Sequence, residues 1–239
     1  MKHQYTTNTQ FKAGTYFVTG TDTDVGKTVC SKALLQAANK QNRSTLAYKP
    51  ISAGCENTVD GLRNEDALIL KDNCSIPVPY NWINPIAYEP PIAPHIAALE
   101  NEDSQIEQTV ISKGLTRLQQ KSPDFLLIEG AGGWHLPINN EQLLSGWVAE
   151  QKIPVVLVVG LKLGCLNHAI LTVESIKQSD LPIAGWIANH LQTDMPYVQQ
   201  NIATLEAYIN APLIAEIPFL DNVEDQDLSK YICVDFIAR

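Results

Sequence analysis

The sequence lacks any apolar run long enough to cross a membrane. A spanning helix needs about 18 or more consecutive apolar residues, and no stretch of the 239 residues approaches that length. The first residues, MKHQYTTNTQFK, also lack the apolar centre of a secretory signal. We therefore expect a cytoplasmic protein without a membrane partner, in which residues 1–14 form a loose, polar lead-in.

Clusters of basic residues are absent as well. The formal net charge is −9, with 17 Lys and Arg residues against 26 Asp and Glu residues, and the basic residues are scattered. Binding to a nucleic-acid backbone depends on clustered Lys and Arg, so the sequence argues against a nucleic-acid partner. An acidic chain that nevertheless binds phosphate has to do so with a few positively polarised groups gathered at one site.

Cysteine pairs at metal-binding spacing are missing too. The five cysteines are an odd number, lie far apart and form no CxxC pair; they are Cys30, Cys55, Cys74, Cys165 and Cys233. Such cysteines are more typical of reduced thiols than of a disulfide framework or a zinc site. Nothing in the sequence singles out one of them as a nucleophile.

The sequence does contain short apolar runs that alternate with helix-like stretches. Several runs are apolar nearly throughout, which is typical of parallel strands covered on both faces. The predicted strands are 15–19, 45–49, 124–129, 154–160, 183–189 and 212–218, and the predicted helices are 27–40, 104–120, 141–151, 165–178 and 196–210. This alternation predicts an α/β fold, with one doubly wound, mostly parallel sheet flanked by helices. We expect a single P-loop domain over residues 1–239.

One segment departs from this alternation. Residues 76–95 contain six prolines, so neither a central strand nor an uninterrupted helix is expected there. A long proline-rich connection is often a lid or the wall of a binding site. A packed surface excursion is an equally good interpretation.

Residues 20–28, GTDTDVGKT, follow the first predicted strand and resemble a phosphate-binding loop. The usual pattern is Gly, four residues and then Gly-Lys-Ser/Thr; here one extra residue is present and Thr21 takes the place of the first glycine. Gly26 lets the backbone close around the phosphates, Lys27 reaches the outer phosphates, and Thr28 places its hydroxyl on Mg²⁺. The predicted helix that follows begins at the loop, and helix amino termini bind anions.

Other functional residues follow the predicted strands, where ligands of open α/β sheets bind. Glu129 ends a buried strand and is predicted to be a magnesium ligand, since such a position seldom holds an unpaired carboxylate. Asp66, at the start of a predicted helix, is a second candidate ligand, although an acidic residue there is more often only a helix-terminus charge. The amide of Asn189 could read adenine, and NHLQ at 189–192 lacks the Lys and Asp that a guanine reader needs.

Lys49 lies at the carboxyl end of the second predicted strand, facing the phosphate loop. A second lysine there could neutralise a substrate that is itself anionic when phosphorylated. A solvated surface lysine is the ordinary interpretation of such a residue. The neighbouring Pro50 and the small residues Ser52, Ala53 and Gly54 favour a packed, substrate-facing turn instead.

Taken together, these motifs resemble the dethiobiotin synthetase family, the ATP-dependent cyclising ligases of biotin synthesis. In chain order the matching stretches are GTDTDVGKT, YKPISAG, GLRNEDAL, EGAGGW, LVVGLKLGCLNHA, GWIAN and EIPFL, between about residues 16 and 220. Linked stretches of this kind are far more specific than a phosphate loop alone. The resemblance implies a homodimer of a P-loop α/β fold, with the substrate bound near the subunit interface.

The resemblance also implies the reaction. 7,8-Diaminononanoate captures carbon dioxide on one amine as a carbamate, and ATP phosphorylates the carbamate. The second amine then attacks, phosphate leaves, and the ureido ring of dethiobiotin closes. The carbamate and the γ-phosphate repel each other unless cations flank them, and Lys27, Lys49 and Mg²⁺ would supply that positive charge.

The resemblance carries site residues over to this sequence in four groups. The catalytic residues are Lys49 and Lys27. The ATP-binding residues are Asp24, Val25, Gly26, Lys27, Thr28, Val29, Asp66, Glu129, Gly130, Ala131, Gly132, Asn189, His190, Pro218, Phe219 and Leu220. The metal ligands are Thr28, Asp66 and Glu129. The substrate-binding residues are Thr23, Ser52, Ala53, Leu163, Gly164 and Asn167, and the loop 161–169 would hold the substrate carboxylate, with the partner subunit as a candidate source.

Three residues depart from the family's pattern. Asp24 stands where relatives more commonly carry Glu, Ala53 where relatives can offer a serine to the substrate, and His190 where an Asp is familiar. None of these departures removes a lysine or a magnesium ligand. The resemblance therefore still implies an active enzyme. Its affinities for substrate and nucleotide can differ from those of its relatives.

The alternative function is a deviant-Walker switch or partitioning ATPase that acts by ATP-dependent dimerisation. Those proteins carry a second lysine early in the phosphate loop, whereas the first lysine of this loop is Lys27. A small-molecule kinase is a third interpretation, and it would need neither Lys49 nor a carbamate pocket.

Overall fold

The computed structural model describes residues 13–100, 105–223 and 225–233. Within these ranges the strands are β1 (Gly14–Gly20), β2 (Thr45–Tyr48), β3 (Ile51–Ser52), β4 (Glu56–Thr58), β5 (Gly61–Arg63), β6 (Ile86–Ala87), β7 (Phe125–Gly133), β8 (Val155–Leu161), β9 (Ile183–His190) and β10 (Leu213–Ile217). The α-helices are α1 (Lys27–Lys40), α2 (Glu65–Asp72), α3 (Tyr80–Ile83), α4 (Pro94–Glu100), α5 (Gln108–Gln119), α6 (Leu144–Glu150), α7 (Cys165–Gln178) and α8 (Val198–Tyr208), and a 3₁₀ helix spans Ser229–Tyr231. Residues 1–12 of the predicted lead-in lie outside the described ranges.

The main sheet has six strands in the order β10-β9-β8-β1-β7-β2. Every pairing in it is parallel. The chain fills one side of β1 with β2 and β7 and then the other side with β8, β9 and β10, so the strand order reverses beside β1. The predicted doubly wound α/β fold is confirmed. Ligands of such sheets bind at this reversal, beyond the carboxyl end of β1.

The sheet is covered on both faces, as the nearly continuous apolar runs predict. All seven residues of β8 are buried. Along β1 the side chains alternate: Tyr16 and Val18 pack in one core cluster with residues of α1, and Phe17 packs in the opposite cluster with residues of α5 and α6. This alternation is the strand period of two, and it places β1 in the centre of both cores.

All six predicted strands and all five predicted helices occur, but some bounds were wrong. The strand expected to end at Glu129 continues as β7 to Gly133, with a register shift where Gly20 of β1 pairs with Gly133. The small residues permit this continuation, because a Cβ at Gly130 would lie 2.9 Å from Cζ of Phe17. Strands β3 to β6 and helices α3 and α4 were not predicted, since these elements have two to seven residues each and show no periodicity.

The proline-rich segment 76–95 packs along residues 49–55. Strand β6 pairs in parallel with β3, and three backbone bonds extend the pairing: Lys49 N to Ile83 O at 2.8 Å, Ile86 N to Pro50 O at 3.3 Å and Tyr88 N to Ser52 O at 3.0 Å. The expectation that this segment forms neither a central strand nor an uninterrupted helix is confirmed. Within the described ranges, the helices are too short and too polar to reach across a bilayer.

Candidate active site

The phosphate loop connects the end of β1 to the start of α1. Gly26, the last residue before the helix, has φ 82° and ψ 34°, a left-handed conformation that glycine adopts without steric cost. A Cβ at this position would also lie 2.2 Å from Nδ2 of Asn189. That amide donates to the Val25 carbonyl at 2.9 Å, so Asn189 supports the loop from β9. Gly26 is therefore required both by its backbone conformation and by close packing.

Asp24, one of the departures from the family's pattern, has a left-handed backbone with φ 55°. Among residues with a side chain, Asp and Asn tolerate this conformation best because their short polar side chains interact locally. The loop therefore accepts Asp24 at lower cost than the longer Glu.

The amino terminus of α1 faces the cleft without a side-chain cap. The first N–H groups of a helix have no partner within the helix, and together with the helix dipole they attract an anion. Lys27 adds a positive charge beside them; it is 7% exposed, and its Nζ donates to the Asp22 carbonyl at 3.2 Å. Burial and repulsion from Lys49 lower the pKa of Lys27 below its usual value.

Four side chains meet next to this loop. Nζ of Lys49 lies 2.7 Å from Oε1 of Glu129, 2.9 Å from Oδ2 of Asp66 and 3.3 Å from the Gly130 carbonyl. Oγ1 of Thr28 lies 2.6 Å from Oδ1 of Asp66 and 3.0 Å from Oε1 of Glu129. The predicted metal ligands and the predicted catalytic lysine therefore form one cluster.

This cluster fits a magnesium ion. Mg²⁺ is held by one or two carboxylates with other oxygen ligands and water, and Thr28, Asp66 and Glu129 offer such oxygens. The single proton of the Thr28 hydroxyl cannot serve both carboxylates at once. In addition, Oε2 of Glu129 is buried and has no hydrogen-bond partner among the described residues, although buried carboxylate oxygens are normally satisfied. The donor set thus has unused capacity for a cation.

Lys49 offsets part of the negative charge in the cluster. Burial opposes its charge, but attraction to Glu129 and Asp66 raises the pKa of Lys49 above the usual lysine value. Burial also opposes the carboxylate of Asp66, yet attraction to Lys49 and the hydrogen bond from Thr28 lower the pKa of Asp66 below its usual value. Lys49 is therefore a buried ammonium, only 3% exposed, and not a solvated surface lysine.

The cluster opens into a cleft of about 890 Å³, the size of a small-molecule site. Residues from the ATP-binding, substrate-binding and catalytic predictions line it: Thr23, Asp24, Gly26, Lys27, Thr28, Val29, Lys49, Ser52, Ala53, Asp66, Ala131 and Gly132. Sequence reasoning missed other lining residues: Lys32, Asn64, Glu65, Ile69, Pro91, Ala93, Pro94, Gly133, Leu136 and Val223. Pro91 to Pro94 belong to the proline-rich segment, whose end therefore forms a wall of the cleft.

Three predicted residues lie behind the lining. Val25 is fully buried beneath the loop, Glu129 is 0% exposed and contacts the cleft residues Thr28 and Lys49, and Gly130 contributes its carbonyl to Lys49.

The residues predicted to border adenine lie at the end of β9 and directly after β10. His190 contacts Oε1 of Glu216 at 2.9 Å through Nε2, and Phe219 is exposed after the end of β10. With Asn189, Pro218 and Leu220, they are not among the residues that line the cleft. Their contact with adenine remains a prediction.

The other predicted substrate residues differ in their relation to the cleft. Ser52 lines the cleft but is only 1% exposed, and its hydroxyl donates to Oδ1 of Asn84 at 2.9 Å, so this hydroxyl is already engaged within the protein. Leu163 is 98% exposed at the loop before α7, and Gly164 and Asn167 are also exposed. These three residues are not part of this chain's own cleft.

The loop before α7 is tied to the phosphate loop. Nζ of Lys162 lies 2.8 Å from Oδ2 of Asp22. The hydrogen bond from Lys162 and that from the Thr23 N–H lower the pKa of Asp22. Asp22 thus connects two predicted ligand-binding loops.

Comparison with known proteins places this geometry in context. The family described as an AAA domain matches residues 14–227. The ATP-dependent dethiobiotin synthetase BioD of Aeromonas hydrophila subsp. hydrophila is 50% identical over 213 residues, which are 89% of this chain and 94% of that protein. The ATP-dependent dethiobiotin synthetase BioD 1 of Salmonella typhi is 50% identical over 205 residues, 86% of this chain and 89% of that protein.

Among solved structures, a ParA family ATPase from Chlorobium tepidum TLS superposes with a TM-score of 0.53. The match covers 93% of this chain and 91% of that one at 14% sequence identity. At such low identity the likeness concerns the fold alone.

Proposed function

The chain belongs to the family of ATP-dependent dethiobiotin synthetases, and from that membership we propose how its residues divide the work of carboxylation and ring closure. It is an ATP-dependent cyclising ligase of biotin synthesis. The observation that carries the assignment of roles is the meeting of Lys49, Asp66, Glu129 and Thr28 beside the phosphate loop. The partitioning-type ATPase alternative is not favoured, because the loop has no early lysine and the ParA likeness concerns the fold alone.

We propose that ATP binds with its phosphates at the start of α1. The N–H groups of the first helical turn and the buried ammonium of Lys27 face that position. One of the three N–H donors of Lys27 Nζ is engaged by the Asp22 carbonyl at 3.2 Å, so the ammonium keeps donors for a phosphate oxygen. Hydrogen bonds from an ammonium to an anion are stronger than those to a neutral carbonyl. Asn189, His190 and Pro218 to Leu220 are proposed to border the adenine.

Thr28, Asp66 and Glu129 are proposed to hold Mg²⁺. When bound, the ion would screen the phosphate charge that develops during transfer. Glu129 Oε2 supports this assignment, since its lack of a hydrogen-bond partner among the described residues leaves it available to a cation.

Lys49 is proposed to stabilise the carbamate as it attacks the γ-phosphate. Its three N–H donors are engaged by Glu129, Asp66 and the Gly130 carbonyl, so a carbamate oxygen would replace one of these acceptors. The carbonyl is the weakest of them, at 3.3 Å and without charge. A preorganised cation in a buried site lowers a barrier by several kcal/mol because it needs no reorganisation. The second amine then closes the ring within the same molecule, which is favoured by proximity.

The diaminononanoate chain is proposed to lie along Thr23, Ala53 and the wall of the proline-rich segment. Its carboxylate would be held by the loop of Leu163, Gly164 and Asn167. Because these residues lie outside their own chain's cleft, we propose that a second subunit of a homodimer supplies them. We also propose a cytoplasmic location, in keeping with the family's role in biosynthesis.

The function is tested by incubating the purified chain with diaminononanoate, bicarbonate and MgATP. We expect phosphate release that requires the diamine and that matches the formation of dethiobiotin one to one. The control reaction omits the diamine, and a matched variant, Lys49→Gln, separates chemistry from nucleotide binding. ATP hydrolysis that is indifferent to the diamine would contradict the proposal and support a switch ATPase.

A further inference from the structure

We propose that Asn84, in the proline-rich segment, is a positioning residue that fixes Lys49 and the start of helix α2 relative to each other. Asn84 does not line the cleft and its part in the reaction is indirect. The proposal rests on the proposed roles of Lys49 and Asp66.

The side-chain amide of Asn84 has its hydrogen-bonding capacity filled. It is 3% exposed; its Nδ2 donates to the Lys49 carbonyl at 2.8 Å and to the Ile86 carbonyl at 3.4 Å. Its Oδ1 accepts from the Ser52 hydroxyl and the Tyr80 hydroxyl, both at 2.9 Å. An Asn amide has two N–H donors and two acceptor sites, so this environment admits a single orientation.

On one side, Asn84 and its neighbours hold the backbone of Lys49. The Lys49 carbonyl accepts from Asn84, and the Lys49 N–H donates to the Ile83 carbonyl at 2.8 Å. Both backbone polar groups of Lys49 are therefore held by the proline-rich segment. The base of the catalytic side chain is fixed where β2 ends.

On the other side, the network reaches the proposed metal ligand. The Tyr80 hydroxyl, which donates to Asn84, accepts from the backbone N–H of Asn64 at 2.7 Å. Asn64 in turn caps α2, because its Oδ1 accepts from the Ala67 N–H at 3.2 Å. Asp66 lies in the first turn of that helix.

The contacts form a closed ring. From the Lys49 carbonyl they run through Asn84, Tyr80 and Asn64 to α2, and the 2.9 Å ion pair between Lys49 Nζ and Asp66 Oδ2 closes the circuit. Lys27 and the amino terminus of α1 are outside the ring. A defect at Asn84 should therefore disturb the carbamate and metal functions and spare the binding of a metal-free nucleotide.

The network is tested with Asn84→Ala and Tyr80→Phe in the full chain. Tyr80→Phe keeps the ring that Arg63 covers at 4.4 Å and removes only the hydroxyl, so it remains informative if Asn84→Ala fails to fold. The matched controls are Asn39→Ala and Tyr48→Phe. Asn39 bonds to Thr45 and Asn73, and the Tyr48 hydroxyl donates to the Ile111 carbonyl, in each case outside the ring.

We expect Asn84→Ala to lower kcat by about 10- to 100-fold while the Kd for ADP without metal stays within about 2-fold. Tyr80→Phe should raise the Mg²⁺ concentration for half-maximal rate by about 3- to 10-fold. The double variant should lose less than the product of the single losses, because both changes break one network. The control variants should keep kcat and Mg²⁺ dependence within about 2-fold even where their Tm falls equally.

Two outcomes would overturn the proposal, and they can be distinguished. If the unmodified chain releases phosphate without the diamine, the proposed function fails and this assignment fails with it. If the unmodified chain is diamine-dependent but folded Asn84→Ala or Tyr80→Phe behaves like its control, the positioning role alone is wrong.

Discussion

At the scale of single residues, the site depends on Lys49. The ammonium is almost fully buried and contacts two carboxylates and one carbonyl, so its position is set by charge rather than by chance packing. The cost of burying it is offset only because Glu129 and Asp66 lie within 3 Å. One side chain thus stabilises the folded protein and, as we propose, also takes part in the reaction.

Replacing Lys49 with glutamine tests the chemical role. Lys49→Gln should lower kcat by at least about 100-fold, the scale of losing one charge-stabilising group. Nucleotide affinity should stay within about 3-fold, since Lys27 and the start of α1 are unchanged. Steady-state phosphate release and ADP calorimetry measure the two quantities. Equal losses in both would assign Lys49 to the nucleotide instead of the carbamate.

Removal of the Lys49 charge should also affect folding. Glu129 is 0% exposed, so Lys49→Met leaves a buried carboxylate unpaired and should lower the free energy of unfolding by about 3–5 kcal/mol at pH 7. Adding Glu129→Gln to this variant should recover most of the loss. Urea unfolding of the three proteins without metal gives the comparison, and an unrecovered double variant would contradict the pairing.

The pH dependence of this stability follows from two pKa shifts. The lowered pKa of Asp66 gives stability that is present above its ordinary value of 3.8 and is lost as the pH falls through the lower folded value. The raised pKa of Lys49 gives stability that is present below its ordinary value of 10.5 and is lost as the pH rises through the higher folded value. The pair therefore contributes fully between these two values.

A further residue-scale prediction concerns Gly26. Gly26→Ala places a Cβ against Asn189 and strains a backbone with φ 82°, so ATP affinity should fall by at least about 10-fold. Asn189→Ala removes the clash but not the strain, and it also removes the amide that supports the loop and is proposed to border the adenine. The double variant is therefore compared with Asn189→Ala alone and should still bind ATP more weakly. Nucleotide titration by calorimetry measures each variant, and equal affinity in these two would show that packing alone requires the glycine.

At the scale of elements, the sequence predicts what long periodic segments encode. The six strands of the main sheet can be predicted from the sequence because buried parallel strands are apolar nearly throughout. The bounds of α1 and α7 are predicted to the residue. The phosphate loop, Asp66 and Glu129 follow from their places at the ends of these elements. Asn84 and Tyr80 could not be predicted in this way, because their roles depend on contacts between segments that are irregular and rich in proline.

Helix α2 gives a prediction at this scale. Asn64 caps the helix, and removing a capping side chain costs about 1 kcal/mol. Asn64→Ala should therefore lower stability by that amount and raise the Mg²⁺ requirement by loosening the first turn, which carries Asp66. Asn64→Ser, which retains a capping oxygen, is the matched control. If the two variants depended equally on Mg²⁺, the helix cap would have no influence on the metal site.

At the scale of the whole molecule, the unit of function proposed here is a dimer. The chain's own cleft contains Lys49 but not the loop of Leu163 and Asn167. If the partner supplies that loop, each active site combines residues of two chains. Defects in the two groups should then complement each other.

This expectation can be tested by mixing two inactive variants, Lys49→Gln and Asn167→Ala, under conditions in which subunits exchange. A mixed dimer has one site with both defects and one intact site, so random exchange should restore about a quarter of the unmodified activity. Sedimentation verifies the dimer, and each variant exchanged with itself is the control. No gain in the mixture would place Asn167 in the same site as the Lys49 of its own chain.

The long sequence distances that the parallel sheet joins have a consequence for synthesis of the protein. Thr28 meets Glu129 across 101 positions, and Val25 meets the Asn189 amide across 164. At about 5–20 residues per second, roughly 10–30 seconds of translation separate the making of Val25 from that of Asn189. A growing chain has its phosphate motif early but cannot complete it until β9 leaves the ribosome. We therefore expect the phosphate loop to gain its support from Asn189 only late in the synthesis of the chain.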